Sequence, residues 1–175
     1  RCLLRKKLRL LEISDFGTYG LCGPVRANDF RGDDVPENFI QFVRNIGVAR
    51  DQEYGGGTYG FGRSASYVMS ACHTILIHTL TAEGGIDSER FIAARLGKEY
   101  IVPSGKDRGR FTGRHWWGRT VDGVLDPILG DDARRFADGT GLLNRSDGRC
   151  GTTIAVLAPD LDGRTPLQVI NTVQE

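Results

Sequence analysis

The chain has 175 residues, enough for one well-cored domain and too few for two. Its net charge of +1 argues against a surface that binds polyanions over its whole extent, although it leaves room for local patches. The apolar stretches are too short to span a bilayer and nothing resembles a secretion signal. Cys2, Cys22, Cys72 and Cys150 lie too far apart for C-x-x-C or zinc spacing, so reduced thiols in the cytoplasm are expected.

In chain order, Arg5-Lys6-Lys7 reads as a solvated strand edge, since lysines there discourage unwanted pairing. Residues 8–15 follow as a strand that delivers Asp15 to the glycine turn Phe16-Gly17-Thr18-Tyr19-Gly20. Phe39, Phe42, Val43 and Ile46 fall at helical spacing and predict an amphipathic helix whose stripe packs into the core. Beyond a glycine cluster at 55–62, residues 64–72 read as a helix and 73–80 as a strand. His78, out of phase with Ile75 and Ile77, is expected to face solvent or to be hydrogen-bonded, with no chemistry assigned. Residues 89–96 fit either a strand or a short helix. Residues 98–130 read as a long connection or insertion, Asp131 to Asp138 as a short helix with its acidic pair at the favourable end, and 150–157 as a strand.

The chemistry concentrates in two places. A glycine cluster opening onto a helix lets bare backbone amides approach a phosphate, because glycine has no Cβ and the first N–H groups of a helix are unpaired. Three motifs fit these letters. Gly57 to Ser64 matches a P-loop except that Arg63 replaces the lysine, Gly55-x-Gly57-x-x-Gly60 matches a dinucleotide fingerprint, and Gly57-x-x-Gly60-x-Gly62 is the third. The first two need a buried strand running into the glycines, whereas residues 45–54 are polar and broken, so context favours the third. The second place is Asp15, a carboxylate able to accept a hydrogen bond from an exocyclic amine, with Gly17 beside it allowing a flat base to slide against the backbone.

These residues resemble the GHKL family, the ATP-binding (Bergerat) fold of histidine kinases, DNA gyrase B, heat-shock chaperone ATPases and MutL. Ile13-Ser14-Asp15-Phe16-Gly17 with Gly20 looks like its adenine box, Gly57-x-x-Gly60-x-Gly62 like its phosphate box, and Gly151-Thr152 like its last nucleotide box. The resemblance implies an α/β two-layer sandwich in a single domain, 1–175, with a mixed, mostly antiparallel sheet and helices on one face. ATP would bind between the layers, and 21–56 would form the lid. It further implies that Asp15 and Thr152 recognise adenine through a shared water, with Gly17 and Gly20 shaping the base pocket. Gly57, Thr58, Gly60 and Gly62 would wrap the phosphates, and Arg63 would add charge there.

The chain departs from the family in one respect. The family's E-x-x-x-N helix, which supplies the water-activating glutamate and a magnesium ligand, has no match in these residues. It precedes the aspartate box in the family, so the implied cofactors are ATP with Mg²⁺, the magnesium ligand and catalytic glutamate being expected upstream of Arg1. No residue of the chain is assigned as catalytic or metal-binding. The implied function is an ATP-binding domain, an ATPase in the full-length protein, where a homodimer is an option. Two other readings stand beside it: a nucleotide-gated module that does not hydrolyse, and a nucleic-acid-binding protein using the basic and aromatic run Arg110 to Arg119. For that run, anchoring of Trp116 and Trp117 on the sheet is the preferred explanation, given the near-neutral net charge.

Overall fold

In the computed structural model the described residues are 7–29, 32, 34–45, 61–83, 85 and 88–174. Their elements, in chain order, are β1 (Leu10–Ser14), a π-helical turn (Ile40–Arg44), α1 (Phe61–Val68), β2 (Thr74–Leu80) and β3 (Glu89–Leu96). Six short strands follow: β4 (Tyr100–Val102), β5 (Gly109–Phe111), β6 (Arg114–Trp117), β7 (Arg119–Val121), β8 (Val124–Asp126) and β9 (Ile128–Leu129). The chain continues with α2 (Gly130–Gly139), β10 (Gly151–Leu157) and α3 (Pro166–Gln174). The central sheet runs β1-β10-β2-β3-β6, with β9 also on β3. Every strand pairing among the described residues is antiparallel, which corrects the expectation of a mixed sheet.

β2 and β10 are rich in β-branched residues, which suit a pleated surface. Register fixes their faces: Ile75 lies between Val156 and Ala94, and Ile77 between Ile154 and Ile92. Phe39, Val43 and Tyr67 pack on this first face, where Ile75, Ile77 and Ile92 are fully buried, each burial being worth about 1.5–3 kcal/mol. The second face carries Leu76, Phe91 and Ala155, covered by Ala133 and Ala137 of α2 and by Leu142. Helices therefore cover both faces, a correction to the one-sided expectation. The physical reason is that the central strands are buried on both sides, and the small side chains Ala133 and Ala137 let α2 sit close on the apolar second face.

Residues 89–96, open between helix and strand in the sequence, form β3, held between β2 on one side and β6 and β9 on the other. Segment 98–130 is more than a connection: β6 and β9 extend the main sheet, while β4-β5 and β7-β8 form two small ribbons. The expected helix around Phe39 is one π turn closed by Asn45 N–H to the Ile40 carbonyl, at 3.0 Å, with Phe39 and Val43 buried as the stripe predicts. Trp116 Nε1 donates to the Val43 carbonyl at 3.1 Å and Arg44 to the Leu125 carbonyl at 2.6 Å, so the turn is tied to β6 and β8. Within residues 21–56, expected as the lid, Leu21, Phe39 and Val43 belong to the core, and residues 46–56 lie outside the described residues.

Candidate functional site

β1 and β10 are neighbours, and this alone brings together Asp15 and Thr152 from distant parts of the sequence. Asp15 N–H donates to the Thr152 carbonyl at 2.9 Å, and Thr152 N–H donates back to Asp15 Oδ1 at 3.1 Å. The Thr18 hydroxyl donates to the same Oδ1. Among the described residues no donor reaches Oδ2, and Asp15 is exposed. The carboxylate is therefore oriented through one oxygen, with the other available as an acceptor.

The turn after Asp15 has the backbone the sequence requires. Gly17 has φ +73° and nothing within 4 Å of where a Cβ would stand, while its N–H is fixed on the Cys150 carbonyl at 2.9 Å. Gly20, at φ +65°, would bring a Cβ to 2.6 Å from the Leu80 carbonyl oxygen, so only glycine lets the chain pass so close to β2. Open space beside Gly17 and a crowded Gly20 give the two glycines different tasks.

Thr152 is buried and its hydroxyl meets that of Thr79 at 3.1 Å. Thr79 Oγ1 has one proton, which it gives to the Gly151 carbonyl at 3.0 Å, and it also accepts from Leu21 N–H at 2.9 Å. Thr152 then donates to Thr79, which leaves its own lone pairs as acceptors.

Behind the junction sits Arg145, buried although the sequence offered no motif to single it out. Its Nη2 donates to the Asp15 carbonyl and to Thr153 Oγ1, both at 2.9 Å, and its guanidinium lies over Phe16 at 4.6 Å. Burial lowers its pKa from the usual arginine value, with Asp15 and Asp147 opposing that shift. Thr18 was also missed; an acceptor at one residue and a hydroxyl three positions on was the available signal.

Of the expected phosphate-binding residues, Gly57, Thr58 and Gly60 lie outside the described residues, and Gly62 and Arg63 fall in the first turn of α1, which starts at Phe61. The structure thus brings Asp15, Gly17, Gly20 and Thr152 to one corner of the sheet. Among the described residues no three His, Cys, Asp or Glu side chains gather to hold a metal.

A second buried polar group occupies the other face. His78 Nε2 meets Glu89 Oε1 at 2.9 Å, and Arg134 from α2 binds Glu89 Oε2 at 2.6 Å. His78 is buried rather than solvent-facing, and burial pushes its pKa down, partly offset by Glu89. It is the hydrogen-bonded sheet histidine of the sequence reading. Among the described residues no helix is long and apolar enough to cross a membrane. No family model, curated protein or solved structure matches the chain.

Proposed function

We propose that the chain is a nucleotide-binding domain of the GHKL type, its sheet and first-face helical layer forming that sandwich and α2 adding a cover on the second face. The observation that supports this most is the Asp15–Thr152 junction, where an exposed carboxylate, oriented through Oδ1, leaves Oδ2 available beside the open space at Gly17. In this reading Oδ2 accepts the adenine amine. A water that donates to both the Asp15 carboxylate and Thr152 Oγ1 bridges them, which suits a threonine whose own proton is committed to Thr79. Gly57, Thr58, Gly60 and Gly62 wrap the phosphates of ATP or ADP with backbone amides, and Arg63 at the helix start adds charge. Residues 21–56 serve as the lid whose closure follows the nucleotide state, whereas hydrolysis and Mg²⁺ binding are assigned to no residue of this chain.

Asp15→Asn keeps the shape of the side chain and replaces one acceptor oxygen by a donor NH₂. Titration calorimetry with ADP should show binding to the wild-type chain and a loss of roughly tenfold or more in the variant, as expected for a hydrogen bond to a charged group. Equal affinity of the two proteins would overturn the adenine assignment.

A further inference from the structure

The basic residues of this nearly neutral chain are not evenly spread. Residues 95–119 hold seven lysines and arginines against two acidic residues, an excess of five, whereas the whole chain has an excess of one. The same stretch builds a row of near-parallel rings across β4, β5 and β6. Phe111 and Tyr100 lie 5.1 Å apart with planes 14° off parallel, Tyr100 and His115 are 5.7 Å apart, and His115 and Trp117 are 6.3 Å apart. Register puts Trp117 opposite Ala93 and His115 opposite Arg95, so one face of the sheet edge carries the rings together with an exposed arginine. Trp116 points to the other face, where its indole N–H is taken by the Val43 carbonyl.

The two tryptophans therefore have separate tasks. Trp116 anchors β6 to the core. Trp117, 50% exposed, and Tyr100, 42% exposed, contribute little to that core, although aromatic side chains are among those with most to gain from burial. An exposed aromatic row does not by itself name its partner, but Arg95 on the same face and the basic excess of the segment that builds it do, because a polyanion with flat apolar groups is complementary to both features.

We propose that this face of β4, β5 and β6 is a docking surface for a single strand of nucleic acid, with a base stacking against Trp117 at the end of the row, where Tyr100 is already stacked between Phe111 and His115, and a phosphate neutralised by Arg95. The surface reads π-faces and backbone charge and is indifferent to the sugar. A duplex is disfavoured, because its bases are already stacked on one another. The inference is independent of the nucleotide site, which lies at the end of β1 on the opposite edge of the sheet.

Fluorescence anisotropy with a labelled oligothymidylate, the matching oligouridylate and a duplex of equal length tests this on the full chain. Both single strands should bind, and the duplex should bind at least several-fold more weakly. Trp117→Ala should weaken single-strand binding by about tenfold or more, while Trp117→Phe restores it. Arg95→Ala should instead reduce the slope of log affinity against log salt by about 0.7. Asp15→Asn should leave oligonucleotide affinity unchanged, which separates this surface from the nucleotide site. Absence of binding at low salt, unchanged affinity in the alanine variants, or a duplex bound as tightly as the single strands would overturn the proposal. Thermal melting checks that each variant is folded; if Trp117→Ala is not, Trp117→Leu at this half-exposed position carries the same expectation.

Discussion

Gly151→Ala perturbs the junction between the two boxes more directly than any change to their polar side chains. Gly151 has φ +145°, a region that side-chain-bearing residues rarely adopt, and holding an alanine there costs about 1–3 kcal/mol. A Cβ at this position would also stand 2.3 Å from the Asp15 carbonyl oxygen, 2.7 Å from Asp15 Oδ1 and 3.0 Å from Arg145 Nη1. The first of these is backbone, paired into β10 through Asp15 N–H, so it cannot swing aside as a flexible side chain would. Relieving the overlap means parting β1 from β10 at their ends, with an overpacking cost of about 1–3 kcal/mol. The sum, about 2–6 kcal/mol, is a large fraction of the 5–15 kcal/mol that typically holds a domain together. Urea denaturation should show a lower midpoint with an unchanged slope, and the melting temperature should fall by roughly 4–20 °C for a chain of this size. Because the displaced atoms belong to Asp15, the folded fraction should also lose ADP affinity. An alanine variant within 0.5 kcal/mol of wild type by the order-of-magnitude standard for neutral surface changes, with ADP binding intact, would refute both the strained geometry and its link to the site.

Three further outcomes concern His78, Arg145 and the glycine cluster. His78 has a folded-state pKa below its ordinary value of 6.5 because it is buried. The unfolded chain therefore takes up the proton first, so its contribution to stability is intact above about 6.5 and is lost as pH falls below it toward the folded value. Stability measured by denaturation at pH 7 and pH 5 should fall in the wild type and fall less in His78→Gln; parallel profiles would reject the assignment. Arg145→Met keeps an unbranched apolar stem but leaves the Asp15 carbonyl and Thr153 without their donor, a cost of about 1–3 kcal/mol, and calorimetry should show weaker ADP binding. If the phosphates are held by backbone amides, Gly60→Ala should damage ADP affinity more than Arg63→Ala; the reverse order would favour a P-loop and count against the GHKL reading.

Much of the local structure was legible because it depends on near neighbours. The alternation and β-branched content of Thr74–Leu80 and Gly151–Leu157 identify strands wherever they pair, and the stripe through Phe39 and Val43 identifies a buried helical face even though the turn closes in π rather than α form. Asp15 and its glycines could be recognised as a turn, since positive φ at Gly17 and Gly20 is a local backbone demand. The expectation for residues 89–96 stayed open because Phe91, Ile92, Ala93 and Ala94 satisfy both periods, and only strands on either side decide between them.

Tertiary structure alone decided which strands are neighbours, and with that everything non-local. It set Asp15 against Thr152, buried His78 on a second face that α2 covers, and placed Arg145 behind the Asp15 carbonyl. It also set Arg95 beside the row of rings on one face of the sheet edge, and gave Trp116 and Trp117, adjacent in sequence, opposite sides of the sheet. Composition and spacing carry no record of such placements, because a strand's inward and outward faces differ only by the partners that long-range pairing supplies.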